Sequence, residues 1–376
     1  MNGNAKLNAL RERIDEIDRQ LVPLFEERMG VSLEIAEVKV ENNAPIQDEA
    51  REREVVEHAL ALANHELKSE VSLLMRSIIA LSRTHQRAKI FHGETPMLPP
   101  ARELIRENVT CAFQGVPGAW SEQASIKLFP DASRLPVEFF EDVFLAVKEN
   151  RVHYGVVAIE NSQTGAIGET YDLLRKYGCF IVGRTWVDIR QCLLASAGTA
   201  LSDIREVLSH SEGFKQCARF LRGRSWDLTA SRNTAVAAKT IAQEKGGNGR
   251  RAAIGSRRAA ELNGLEVLVP DIMDSTDNRT SFVVIATAPE YDETSNLVSV
   301  TFSTEHRAGA LCEALMPFMA QGINLVRIES RPASGGSYRF FVELDGNILD
   351  PGILSTLKQA SAACQYFEVI GCYKNT

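Results

Sequence analysis

The chain has 376 residues, which at about 100–200 residues per domain predicts two to four domains and excludes a single small module. Hydrophobic residues make up 44% and charged residues 24%, and 42 Lys and Arg stand against 49 Asp and Glu, so a disordered chain and a broad basic face for nucleic acid are both excluded. The seven cysteines contain no Cys-x-x-Cys, no apolar run approaches the ~18 residues of a membrane span, and no Gly-rich phosphate motif occurs. A disulfide framework, a metal site, a nucleotide cofactor and a membrane partner are not expected, and the chain reads as cytoplasmic.

From Asn4 to about Glu41 the sequence predicts one helix, because Leu7, Leu10, Ile14, Ile17, Leu21, Leu24, Val31, Ile35 and Val38 recur at alternating spacings of three and four. At ~1.5 Å per residue it would be ~55 Å long, too long to bury its stripe inside a domain of ~90 residues, so a second copy of the chain is the expected cover. Arg28 takes the one missing place in the stripe. Either it snorkels out of the interface or an anion waits beside it. Lys39 lies eleven residues on, close to three turns, and shares its face, whereas Arg11 is rotated by ~100° and lies ~25 Å away. If Arg11 serves the same pocket it comes from a second subunit. Pro23 and Gly30 predict a kink near Arg19–Pro23.

After a turn at Asn42–Pro45, a second helix is expected from near Asp48, with Arg51 and Glu52 on the same face as Asp48. A third, about Leu67–Ile90, carries Ser82 and Gln86 one turn apart. Arg11, Arg28, Lys39, Asp48, Arg51, Glu52, Ser82 and Gln86, in that order on three helices, resemble the pocket of the all-helical chorismate mutases. The resemblance implies an intertwined helical dimer in which Arg11 reaches over from the partner. It also implies that Arg11 and Arg28 clamp carboxylates, that Lys39 and Gln86 donate to the ether oxygen as catalytic residues, that Asp48 and Glu52 hold the ring hydroxyl or position the cations, and that Arg51 and Ser82 complete the lining. Such a rearrangement needs a held dianion and stabilised charge, without a nucleophile or cofactor.

Residues 92–108 are rich in proline and lack an apolar period, so a linker is expected there. Beyond it, apolar runs at Val109–Phe113, Tyr154–Ile159, Gln191–Ala195, Val207–Ser209, Ala252–Ile254, Val267–Val269 and Phe282–Ala286 alternate with helical stretches, which predicts βαβ units and largely parallel sheets. Glu160-Asn161-Ser162, Ser209-His210 with Gln216-Cys217, Cys192-Leu-Leu194 and Asn278-Arg279-Thr280-Ser281-Phe282 resemble prephenate dehydratase. That implies two α/β lobes like a periplasmic binding protein, with the site in the cleft and Glu160, Asn161, Ser209, Gln216 and Thr280 around the substrate. Thr280 would hydrogen-bond or protonate the leaving hydroxyl. Two positions depart from the family: Ser281 stands where it carries Arg, and Gln191 where it carries His. Arg279, two places from Ser281 along an extended segment, is expected to compensate in part.

Leu297–Tyr373 reads as βαββαβ, a ferredoxin-like α+β pattern. With Gly309-Ala310-Leu311 at its first helix and Glu329-Ser330-Arg331-Pro332 at its second strand, it resembles a phenylalanine-binding ACT domain. The expected order is therefore 1–91 mutase, 92–108 linker, 109–288 dehydratase, 289–296 linker and 297–376 ACT. This is the order of the bifunctional enzymes of phenylalanine synthesis, which implies chorismate and prephenate as substrates, phenylalanine as effector, and a homodimer or higher assembly. A mutase fused to a non-catalytic sensor, and a dehydratase acting on arogenate, are the alternatives.

Overall fold

The computed structural model describes residues 3–45, 48–90, 98–103, 105, 107–244, 250–333 and 337–375. Three helices open the chain: α1 (Gly3–Glu41), α2 (Glu49–Leu62) and α3 (Lys68–Ile90). The first runs unbroken through Pro23 and Gly30 for 39 residues. Its apolar stripe faces solvent in the single chain, with Leu10, Ile14, Ile17, Leu21 and Leu24 each 52–63% exposed. Of the expected linker, His92–Met97 lie outside the described residues, but its later part is strapped down. Leu98 is buried in the core of the last domain, and Arg102 pairs with buried Glu290 while its backbone N–H donates to the Pro289 carbonyl.

The central region begins with β1 (Thr110–Gln114), α4 (Trp120–Leu128), β2 (Ser133–Val137), α5 (Phe140–Lys148), β3 (Tyr154–Asn161), β4 (Gly165–Ala166), α6 (Gly168–Tyr177) and β5 (Phe180–Asp188). The chain then crosses to a second lobe of β6 (Cys192–Ala195), β7 (Glu206–Ser209), α7 (Ser211–Gln216), α8 (Ala218–Leu221), β8 (Asp227–Ala230), α9 (Thr234–Gln243), β9 (Arg251–Gly255), α10 (Arg257–Asn263) and β10 (Glu266–Val269). It returns to the first lobe as β11 (Arg279–Ala286).

The lobes share one plan. Strand order is β5-β11-β3-β1-β2 in the first and β10-β6-β9-β7-β8 in the second. In each, the strand entered after a crossing, β11 or β6, is antiparallel to both neighbours, while the β3-β1-β2 and β9-β7-β8 pairs are parallel. The expectation of largely parallel sheets is corrected by this topology. A chain arriving from the other lobe enters its new sheet from the opposite end, and the apolar pattern of a doubly covered strand carries no mark of direction.

The last domain is β12 (Leu297–Ser303), α11 (Ala310–Ala320), β13 (Leu325–Pro332), β14 (Tyr338–Asp345), α12 (Pro351–Ala362) and β15 (Tyr366–Tyr373), the expected βαββαβ order. Its sheet continues into the first lobe where Gly371 of β15 pairs with Ile181 of β5. A Cβ on Gly371 would lie 2.3 Å from the Ile181 carbonyl oxygen, so only glycine permits this approach. Phe341, Ile370 and Tyr373 share one buried cluster with Val143, Phe144, Tyr171 and Val283, so the two domains have a common core. Among the described residues no helix is long and apolar enough to cross a membrane.

Candidate active sites

A cavity of about 290 Å³ lies among the first three helices, lined by Arg28, Ser32, Lys39, Asp48, Arg51, Glu52, Ser82, Arg83 and Gln86 with Val31, Ile35, Val55 and Ile79. Seven of the eight residues expected there are present. Arg11 is exposed and does not line this cavity, in keeping with its place far along α1. Helix geometry explains the convergence: Arg28 and Lys39 face across from Ser82 and Gln86, which lie one turn apart on α3. Arg28 Nη1 donates to Ser82 Oγ at 3.0 Å, and partial burial draws the Arg28 guanidinium below its ordinary pKa. Asp48 is the N-cap of α2, accepting from the Arg51 backbone N–H at 3.0 Å. Gln86 Nε2 donates to the Ser32 carbonyl (2.7 Å) and to Ser32 Oγ (2.5 Å), so donation to an ether oxygen requires these bonds to open. Two residues were missed from the sequence. Ser32 is one; the other is Arg83, whose Nη1 donates to both Glu52 carboxylate oxygens at 2.9 and 2.8 Å.

In the two-lobed domain the candidates on β3 and β11 divide between the faces of one sheet, and Ser209 and Gln216 belong to the second lobe. Asn161 and Thr280 are register partners on β3 and β11, and Asn161 Nδ2 donates to Thr280 Oγ1 at 3.0 Å and to Asn278 Oδ1 at 2.9 Å. The orientation of the Asn161 amide is fixed because its Oδ1 accepts from the backbone N–H groups of Gln163 and Thr164. Asn278 stands on the return crossing and Gln191 on the outward one. Gln191 Nε2 donates to Gln216 Oε1 at 3.0 Å, which brings Gln216 to the hinge. Ser209, fully buried at the end of β7, donates to the Ile254 carbonyl. Across the lobes, Ser256 Oγ donates to the Gly118 carbonyl and Arg258 Nε pairs with Glu122 at 2.9 Å. Polar groups and the starts of α4 and α10 therefore meet where the lobes touch, the usual location of ligands in open α/β sheets.

Glu160 does not join them. It is the register partner of Ser281, on the opposite face from Asn161 and Thr280, and it is ion-paired with Arg184 and Arg327 under the last domain. Strand alternation sets it apart from them: one residue before Asn161 means the other side of the sheet. On that face Ser281 is fully buried and accepts from Arg184 Nε at 2.7 Å. Arg279 instead lies over the Trp186 ring, its guanidinium carbon 4.9 Å from the centroid, and is half exposed. The cation beside position 281 is Arg184, which also pairs with buried Glu343 of β14 at 2.5 Å. Ser281→Arg is therefore expected to crowd a second guanidinium against Arg184 and to destabilise the protein by about 3 kcal/mol or more in denaturant unfolding. A variant as stable as the wild type, with a lower KM for prephenate, would return position 281 to the substrate site.

The two expected effector motifs have different neighbours. Gly309, in a left-handed conformation at φ 81°, caps α11 and lines a second cavity of about 320 Å³ with Glu49, Glu52, Arg53, Arg83 and Arg307. Ala310 is buried at the start of α11, with Leu311 packed on the domain core. Glu329, Ser330, Arg331 and Pro332 end β13, where Arg331 packs over Gly168 and donates to Asp172 at 3.0 Å.

A helical cavity of opposed cations and carboxylates, followed by a two-lobed domain with polar groups at its hinge and a ferredoxin-like domain fused to its sheet, defines a multidomain enzyme of two active sites. Residues 10–87 match chorismate mutase type II, residues 111–290 prephenate dehydratase and residues 298–362 the ACT domain. The bifunctional chorismate mutase/prephenate dehydratase of Escherichia coli is 31% identical over 99% of this chain and 97% of its own. The chloroplastic arogenate dehydratase/prephenate dehydratase 2 of Arabidopsis thaliana is 36% identical over 77% of this chain and 81% of its own. Among solved structures, prephenate dehydratase from Arthrobacter aurescens in complex with L-Phe is 28% identical, with a TM-score of 0.65 over 70% of this chain and 89% of that one. The chain belongs to the family of bifunctional chorismate mutase/prephenate dehydratases.

Proposed function

We propose that this chain converts chorismate to prephenate in its helical domain and prephenate to phenylpyruvate between its two lobes, under feedback by phenylalanine at the ACT domain. The observation that carries the reading is the helical cavity, in which seven of the eight expected polar residues converge. As the C–O bond of chorismate breaks and the new C–C bond forms, negative charge grows on the ether oxygen. Arg28 holds a carboxylate, and Lys39 and Gln86 donate to that oxygen. The exposed stripe of α1 supports a dimer in which the partner supplies Arg11. In the second reaction the electron pair of the C–carboxylate bond enters the ring, carbon dioxide leaves, and the ring hydroxyl takes up one proton, delivered through the Thr280 hydroxyl and replaced from solvent, and departs as water. Thr280, oriented by Asn161, hydrogen-bonds that hydroxyl, with Gln216 and Ser209 on the other lobe. Gly309–Leu311 and Glu329–Pro332 form the effector site when chains assemble, and the enzyme works in the cytoplasm.

The test is to supply chorismate to the purified protein and follow prephenate and phenylpyruvate with and without phenylalanine. Phenylpyruvate should appear and decline as phenylalanine is added. Accumulation of prephenate alone would reduce the chain to a mutase with a sensor, and faster turnover of arogenate than of prephenate would reassign the second substrate.

A further inference from the structure

Within the mutase reading, we propose that Arg83 is a positioning residue of the helical site: it neutralises and orients Glu52, and Glu313 of the ACT domain holds it in place. Arg83 follows Ser82 and precedes Gln86 by three residues, so it projects from the face of α3 that meets the cavity. It is only 8% exposed and forms part of the wall of both the mutase cavity and the second cavity that Gly309 lines. One terminal nitrogen takes both oxygens of Glu52, the other pairs with Glu313 in the first turn of α11, and the Nε–H has no partner among the described residues.

Charge gives this arrangement its purpose. The site is built for a dianion, and Glu52 places a carboxylate in its wall, which by itself repels the substrate. Arg83 cancels that charge from behind while leaving Arg28 and Lys39 to the substrate. The Glu52 side chain is 26% exposed, so loss of its partner leaves a part-buried carboxylate beside the substrate, and the planar fork of arginine fixes its angle as well as its charge. Arg83 is anchored in turn from outside the mutase helices. Arg307 pairs with Glu313 and Glu305, and Arg87 of α3 pairs with Glu305, so α3 is stitched to the loop that leads into α11. Pairing with Glu313 raises the Arg307 guanidinium above its ordinary pKa.

The experiment uses full-length protein and steady-state kinetics on chorismate, with the rate on supplied prephenate as the check of folding. Arg83→Gln is expected to raise KM for chorismate tenfold or more, with a smaller fall in kcat and an unchanged prephenate rate. Arg83→Lys should recover part of the loss. In a Glu52→Gln background no carboxylate charge remains to be cancelled, so adding Arg83→Gln should raise KM far less, a non-additivity that a merely structural role does not produce. Glu313→Gln should raise the same KM two- to threefold and decides the matter if Arg83→Gln loses the prephenate rate as well. A wild-type KM in Arg83→Gln, additive effects in the double variant, or a Glu313→Gln variant equal to wild type would overturn the proposal. Wild-type protein that leaves chorismate untouched would instead overturn the mutase reading on which it rests.

Discussion

Arg28→Ala is expected to lower the mutase rate by ~10²–10³, because the guanidinium that bridges the cavity wall to Ser82 is a preorganised donor with no replacement on its face of α1. Lys39 lies three turns along and addresses another part of the substrate. The companion prediction concerns Arg11, which its own chain cannot bring to the cavity. Arg11→Ala should be comparably inactive, yet mixing the two variants under conditions of subunit exchange should restore activity to one site per mixed dimer. That site takes Arg28 from the Arg11→Ala chain and Arg11 from the Arg28→Ala chain. The readout is chorismate consumption against mixing ratio, with exchange followed by mass. Exchange without recovered activity would mean that each cavity is complete in one chain.

Thr280→Ala should remove most dehydratase turnover, with a fall in kcat of ~10²–10³ and a modest change in KM, while mutase activity is retained. Thr280 Oγ1 already accepts from Asn161, so its own proton is left to donate elsewhere. Thr280→Ser keeps the hydroxyl and should retain much of the rate, which separates hydroxyl chemistry from packing. Asn161→Ala, by freeing Thr280 and the Gln163–Thr164 turn together, should lower kcat less than Thr280→Ala does and also weaken binding. A Thr280→Ala enzyme within a few-fold of wild type would assign protonation of the leaving hydroxyl to another group or to water.

What the sequence discloses depends on how far its information travels. Strands Leu297–Ser303 and Tyr366–Tyr373 and helix Arg257–Asn263 are legible to the residue, because each is a local apolar period between turn signals. Strand Ser133–Val137 is not, since it is an edge strand with Pro136 inside it and its exposed side shows no alternation. Strand Phe180–Asp188 is hidden for another reason: Arg184 is buried in its middle, where a sequence reading expects an apolar residue. The residues of the helical cavity were legible through their resemblance to the mutase pocket, and the facing rules of three helices bring seven of the eight together. Arg83 was not, as its partners lie 31 and 230 positions away and nothing in a helix period foretells them. That Glu160 and Ser281 stand on the other face from Asn161 and Thr280 was not visible either, because a motif read as a string ignores that adjacent strand residues point in opposite directions.

The join between Gly371 and Ile181 ties the solubility of the catalytic region to the last strand of the chain. Strand β5 is the edge of the first lobe, and β15 is what lies against it. On the ribosome β5 is made nearly two hundred residues before its cover, and a nonsense mutation ahead of Tyr366 removes that cover altogether. Its unpaired N–H and C=O groups, flanked by Phe180, Ile181 and Val182, then offer a template for pairing with another chain. Deleting the regulatory domain thus threatens more than control of the pathway. It exposes a sticky edge, and truncated chains should collect in inclusion bodies rather than persist as an unregulated enzyme.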